Sequence, residues 1–513
     1  MTRTLDAFYR PTFSLLFVAA LLVTAGCQAG DDSTPSAPGF VIAGATVVDG
    51  TGASGVVSNV RVVGDRIAEV GSFEPGPSET VIDADALVLA PGFIDTHSHH
   101  DRGLDRMSDA LAAVSQGITT IVAGQDGGSP LPLADYFERL EASPAAINVA
   151  AYVGHNSIRR AVMGQDFRRT ASAEEIEEMV ALLQTELAAG AIGLSTGLEY
   201  DPGIYSETDE VLTLARITAD DGGRYISHMR SEDRYFFEAL DELLLIGRET
   251  GMPVQIGHMK LAMKSLWGRT DEVIGILDSA RAEGIDVTAD VYPYEFWQST
   301  MTVLFPDRAF TREAAQFALD ELAPADGMII AAFDPDPSYV GMTLAEIAEQ
   351  RGRPAVDVYL ELIAEVDSTG GSESIIARSM EPEDIAALLR WPHTNVSSDG
   401  GLAGRHPRGF GAFTRVLGRH VRERGDLELE EAVRKMSSLA AEHMGLEDRG
   451  TIVEGAFADL VLFNPRTVRD MATPEAPNEP SEGVIAVWVN GQQVYGATGT
   501  TGATPGRVLR RRR

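Results

Sequence analysis

An apolar run beginning at Val88 closes on Asp95-Thr96-His97-Ser98-His99-His100-Asp101. Alternate residues of an extended strand share one face, so His97 and His99 point the same way and form half of a metal site. Two further runs end in His228 and His258, and another ends in Ser397-Ser398-Asp399-Gly400. A lone strand histidine is ordinarily packed or solvated. Four of the chain's 10 histidines at strand ends, joined by an aspartate, read instead as a metal centre. Imidazole and carboxylate suit zinc, and one or two Zn2+ ions are expected. Such an ion polarises a carbonyl and lowers the pKa of water to ~7, which is the chemistry of hydrolysis.

The elements that must bring these residues together alternate between strand and helix, the pattern of a (β/α)8 TIM-like barrel whose working residues stand at strand C-termini. Strands are expected at Val88 to His97, Ile118 to Ala123, Asn148 to Val153, Ala191 to Ser195, Tyr225 to His228, Val254 to His258, Val287 to Val291 and Asn395 to Ser398. The clearest helix is Ala173 to Ala189, behind an N-terminal Ser172 with an acidic first turn. The gap between the seventh and eighth strands is too long for a simple connection, so an insertion is expected over about 296–378. Short β-rich runs at both ends predict a composite β-sandwich domain from 40–88 and 445–513, leaving 89–444 as the barrel.

Of the 513 residues, 76 are acidic and 42 basic, a net charge of -34 that argues against nucleic acid as a partner. Lysine occurs only at Lys260, Lys264 and Lys435. The single cysteine, Cys27, excludes intrachain disulfides and cysteine-rich metal sites. It follows Arg3, Arg10 and an apolar run from Phe13 to Val23, the pattern of a secretory signal peptide over 1–26. Thr24-Ala25-Gly26-Cys27 resembles a bacterial lipobox, although Thr24 replaces the usual branched residue. Lipidation of Cys27, a flexible tether over 27–39 and an exported location at the bacterial cell envelope are therefore expected, with membrane attachment through that anchor alone.

The joint set of motifs resembles the N-acyl-D-amino-acid deacylases, or D-aminoacylases, of the amidohydrolase superfamily. Its markers are Pro91-Gly92-Phe93-Ile94-Asp95-Thr96-His97-Ser98-His99, Gly193-Leu194-Ser195-Thr196-Gly197-Leu198-Glu199-Tyr200, Asp290-Val291-Tyr292-Pro293-Tyr294, and Ser398-Asp399-Gly400 with His406-Pro407-Arg408. The resemblance implies zinc-dependent hydrolysis of the amide joining an acyl group to a D-amino acid. It implies that His228 and His258 hold the principal zinc, that His97 and His99 line a second position, and that Asp399 moves a proton from the attacking water to the leaving amine. The family places a metal-binding cysteine after the second strand, where this chain reads Gly124-Gln125-Asp126-Gly127. Asp126 is one candidate to replace it. A carboxylated lysine is closed off, since no lysine precedes Lys260, and Glu199 is the other candidate bridge.

A cationic clamp for the substrate α-carboxylate is expected from Lys260, two residues past His258. The resemblance implies contacts from Tyr200 and Tyr292, with Arg408 or Arg405 completing the clamp. His155, at the third strand end, is a weaker substrate contact. Arg230 and Glu232 read either as support for the histidines or as a surface ion pair. The resemblance implies that the substrate is a small N-acyl-D-amino acid or peptide. Competing readings are a dipeptidase on D-containing peptides, a cyclic amidase, and a solute-binding lipoprotein on an inactive barrel.

Overall fold

Gly92 divides the first apolar run between two sheets. A side chain there would strike Thr119 at 2.3 Å, and the Gly92 N–H donates to the Asp459 carbonyl at 2.8 Å. Val88–Pro91 before it pairs antiparallel with Leu460–Phe463, whereas Phe93–Asp95 after it opens the barrel beside Ile118–Ala123. The single expected strand is therefore two, and the β domain reaches past residue 88 to Pro91. The computed structural model describes residues 39–511. The signal peptide, Cys27 and all of the tether but its last residue lie outside the described residues.

The barrel continues through Asn148–Ala151 and Val153–Gly154, split at Tyr152, then Gly193–Gly197, Arg224–His228, Val254–Ile256, Val287–Val291 and Thr394–Val396, all parallel. These strands are buried almost throughout, as a parallel sheet covered by helices demands. It closes where the Asp399 N–H donates to the His97 carbonyl at 2.9 Å and the Ser398 N–H to Asp95 Oδ1 at 2.9 Å. Three strands stop short of the expected ends, at Asp95, Ile256 and Val396. Their catalytic-type residues thus lie on the turns just beyond. The helix Ala173–Ala188 starts in a capping box formed by Ser172 and Glu175.

Between the seventh and eighth strands the insertion builds its own antiparallel sheet, with Glu373–Arg378 central between Phe296–Ser299 and Met328–Phe333. The turn Met301–Leu304 follows its first strand. Strands from both ends of the described residues share one nine-stranded sheet, whose own core includes Ile42, Val60, Leu89 and Leu460. Phe40 stacks on Trp488 at 5.7 Å across it, so the sheet curls over that core. The last residues depart from the β domain to which 445–513 was assigned. Val149 N–H donates to the Arg507 carbonyl at 2.9 Å and Leu509 N–H to the Val149 carbonyl at 2.8 Å, because barrel backbone left open there needs partners. No helix among the described residues is long and apolar enough to cross a membrane.

Candidate metal centre

Three residues at strand ends take left-handed backbone: Asp126 at φ 54°, His258 at φ 35° and Asp399 at φ 47°. Such conformations cost energy in non-glycine residues and persist where surrounding bonds enforce them. At His258 the backbone N–H donates to Asp290 Oδ1 at 2.9 Å, and the next N–H, of Met259, donates to the Asp290 carbonyl at 2.8 Å. At Asp399 the constraint is the bond to His97 already described. Asp126 stands between the positive-φ glycines Gly124 and Gly127.

These turns aim their side chains at one place. His97, His99, Asp126 and Asp399 form one cluster of facing ligand atoms, Asp126, His228 and His258 a second, and Glu199, His228 and Glu232 a third. Asp126 belongs to the first two. Its Oδ1 lies 3.2 Å from both His97 Nε2 and His258 Nε2, and its Oδ2 lies 3.1 Å from His99 Nε2. Glu199 reaches His228 Nε2 at 2.9 Å, while His228 Nδ1 faces His258 Nε2 at 2.9 Å. Asp399 Oδ1 is 3.3 Å from His99 Nε2, and its Oδ2 is 2.6 Å from the Arg408 guanidinium.

The donor set fits a metal ion. His97 is fully buried, yet neither ring nitrogen has a hydrogen-bond partner. Its approach to Asp126 lacks hydrogen-bond geometry, as two ligands of a common ion would, and an orphaned buried imidazole is otherwise costly. Charge points the same way. Burial acts to raise Asp126, but His97 and His258 hold its carboxyl well below the usual range. Burial likewise opposes ionisation of Asp399, and Arg408 and His258 outweigh it, holding that carboxyl low. Burial and Lys260 act to lower His258, yet Glu232, Asp126 and Asp399 push it up to about 9, whereas burial brings His228 down to about 4. The cup gathers negative charge that favours a cation.

A cleft opens beside these residues. Lys260 lines it, donating to Glu232 Oε1 at 2.6 Å and meeting His258 Nδ1 at 2.8 Å. The Tyr292 ring lies 4.7 Å from Arg408 and 5.7 Å from Lys260, and Tyr200 packs on His228 with ring centres 4.2 Å apart. Two expected contacts stand elsewhere. His155 begins the helix His155–Met163 and is fully buried, its Nε2 2.8 Å from Glu210, which also accepts from Arg159. That buried ionic network, remote from the cleft lining, accounts for it. Arg405 is drawn toward the insertion, its guanidinium beside Gly341, and does not line the cleft. Arg230 pairs with Glu242 at 2.8 Å, so only Glu232 of that pair faces the histidines.

Asp290 is a residue that spacing did not single out. It is fully buried, accepts from Gln255 Nε2 at 2.7 Å and lies 3.7 Å from His97 Nδ1. A carboxylate inside the otherwise apolar or neutral strand Val287–Val291 is the signal that marks it, since a buried charge requires partners. Asp95 is similar, its burial-raised carboxyl at about 6 accepting from Ser398. Trp297, Val303 and Leu304 of the insertion also line the cleft and carry no chemical signature in sequence.

With this geometry in place, the comparisons with known proteins are direct. The family model described as "Amidohydrolase family" matches residues 80–495. Three proteins of Alcaligenes xylosoxydans xylosoxydans are similar over nearly their full lengths. The D-aminoacylase is 38% identical over 92% of this chain and 97% of its own. The N-acyl-D-glutamate deacylase is 38% identical over 92% and 96%, and the N-acyl-D-aspartate deacylase 37% over 93% and 96%. A D-aminoacylase structure that addresses its binuclear metal centre superposes with TM-score 0.83 at 37% identity, covering 92% of this chain and 99% of that one. The N-acyl-D-glutamate deacylase of Bordetella bronchiseptica, solved with zinc and a phosphonate mimic of the tetrahedral intermediate, gives 0.83 at 35% identity with the same coverage. The chain belongs to the D-aminoacylase family of amidohydrolases.

Proposed function

We propose that the protein hydrolyses the amide bond of N-acyl-D-amino acids, releasing a carboxylate and a D-amino acid. The observation that carries this reading is the convergence of His97, His99, Asp126, His228, His258 and Asp399 on one cup, beside a cleft lined by Lys260 and Arg408. Relatives that deacylate D-amino acids support it.

His228 and His258 would hold the principal zinc, and His97 and His99 would line a second position. Asp126, which faces both pairs, is better placed than Glu199, which reaches His228 alone, to serve both positions. When bound, zinc supplies Lewis acidity toward the acyl carbonyl and lowers the pKa of the attacking water. Asp399, kept ionised by Arg408, accepts a proton from that water and returns it to the leaving nitrogen. Lys260 and Arg408 take the α-carboxylate, with the Tyr292 ring packed against both cations. Tyr200 packs on His228 and forms part of the cleft lining at the metal. Export and lipidation at Cys27 form part of the proposal and rest on the sequence pattern. Loss of lipid labelling in Cys27→Ala is the expected result.

Assays of zinc-loaded protein on N-acetyl-D- and N-acetyl-L-amino acids test the activity. Hydrolysis of D substrates alone, abolished by chelator and restored by zinc, is expected. Cleavage of D-containing dipeptides without cleavage of any N-acetyl-D-amino acid overturns the reading.

A further inference from the structure

We infer that the site selects D-amino acids with uncharged, apolar side chains and rejects those with a second carboxylate. This rests on the deacylase reading and goes on to ask which deacylase. Descent does not answer, because the D-aminoacylase, the D-glutamate deacylase and the D-aspartate deacylase are 38%, 38% and 37% identical to this chain. The wall of the cleft does.

Among the described residues, Lys260 and Arg408 are the cations that line it. Both already face acids on the metal side, Lys260 on Glu232 at 2.6 Å and Arg408 on Asp399 at 2.6 Å. The α-carboxylate of the substrate claims them. The wall from the insertion is formed by Trp297, Val303 and Leu304, all buried, together with the neutral polar residues Gln298, whose Nε2 donates to Ser374 Oγ at 3.1 Å, and Ser299, and Ala262 adds to it from the sixth strand's loop. No charge stands on that wall. Beyond Glu232 and Asp399, the acids that line the cleft are Glu199, held at His228, and Asp233, which accepts from Ser231 Oγ at 2.7 Å.

Neighbouring arginines are committed elsewhere. Arg234 does not itself line the cleft; its guanidinium is 4.4 Å from the Phe317 ring, its Nη2 3.4 Å from the Leu304 carbonyl and its Nε 3.9 Å from Asp233 Oδ2, so the charge it brings near the cleft already faces an acid. Arg308 donates to the Glu199 carbonyl at 2.8 Å and pairs with Asp201 at 3.3 Å. A side-chain carboxylate would therefore lose its water against indole, aliphatic carbon and at most the neutral groups of Gln298 and Ser299, near the acidic Asp233, with no uncommitted cation on that wall to receive it. An aliphatic or thioether side chain instead gains by covering the same wall.

The test is kcat/KM for zinc-loaded full-length protein on the N-acetyl derivatives of D-leucine, D-methionine, D-glutamate, D-aspartate, D-arginine and L-leucine. The D-leucine and D-methionine substrates should exceed both acidic ones by about 100-fold or more. An acidic substrate or the D-arginine derivative within tenfold of D-leucine overturns the inference while leaving the deacylase reading intact. No turnover of any D substrate overturns that reading, and this inference with it. Leu304→Arg, which puts a cation on the wall, should raise the D-glutamate to D-leucine ratio about tenfold. A folded variant with an unchanged ratio counts against the inference, and if the variant does not fold, the wild-type profile decides.

Discussion

A carboxylate that moves a proton must be ionised before water attacks and must stay within reach of the leaving group. Asp399 meets the first condition through Arg408, and its strained backbone fixes its position. Asp399→Asn should lower kcat by about 10³-fold while the protein retains its zinc, measured by metal analysis beside the assay. Loss of zinc in that variant would make it a ligand instead of a shuttle. Bridging is decided by a different comparison. Asp126 touches three of the four metal-type histidines directly and Glu199 touches one, so Asp126→Ala should reduce zinc per chain markedly and Glu199→Ala much less. Equal stoichiometry in the two would remove the distinction. Residue types at strand ends made the four histidines and Asp399 legible from spacing, whereas Asp126 came into view only through the family resemblance, as one of two candidates for the place of the missing cysteine. His155 misled because its position at a strand end is shared by residues that serve buried ion pairs. Asp290 stood in one of the quoted markers but was given no role, because a single carboxylate within a strand gives no pattern until its partners are located.

At the scale of elements, the barrel strands could be read from their apolar runs, but the insertion could be read only as excess length. Its wall residues are ordinary apolar ones, and nothing in their spacing says which turn reaches the cleft. The structure attaches that turn through Glu373. Its Oε1 accepts from the Met301 N–H at 2.7 Å, Oε2 is buried without a partner, and Tyr359 Oη donates to the Met301 carbonyl at 2.7 Å. Burial pushes the Glu373 carboxyl up to about 7. The folded state therefore binds a proton more tightly than the unfolded chain, and the stability conferred is present below about pH 4.5 and lost as pH rises toward 7. The full effect is about 3 kcal/mol. Glu373→Gln keeps the carbonyl acceptor and removes the charge. It should melt higher than wild type at pH 8, with the difference shrinking toward pH 4. Parallel melting curves across that range would count against the assigned role.

For the whole molecule, the two ends of the chain do different work from the cup. The N-terminal and C-terminal strands share one sheet, and the following segment leaves it to run beneath the barrel, opposite the strand ends that carry the metal cluster. Gly506 N–H donates to the Ala145 carbonyl at 2.8 Å, Arg511 N–H to the Gly190 carbonyl at 3.1 Å, and Arg511 pairs with Asp221. Leu509 packs on the cluster containing Tyr152, Ile192 and Ile226. Such a strap closes the floor of the barrel, the face that serves stability and not chemistry. Deleting residues 501–513 removes these bonds and exposes that cluster, at about 1 kcal/mol for each hydrogen bond lost. Thermal melting should fall by a few degrees, as the entropy of unfolding of a domain this large predicts. Turnover by the folded fraction, measured well below the new midpoint, should match wild type. An unchanged melting point would mean that the strap contributes nothing to the floor, and a fall in kcat without one would mean that the floor communicates with the metal cup.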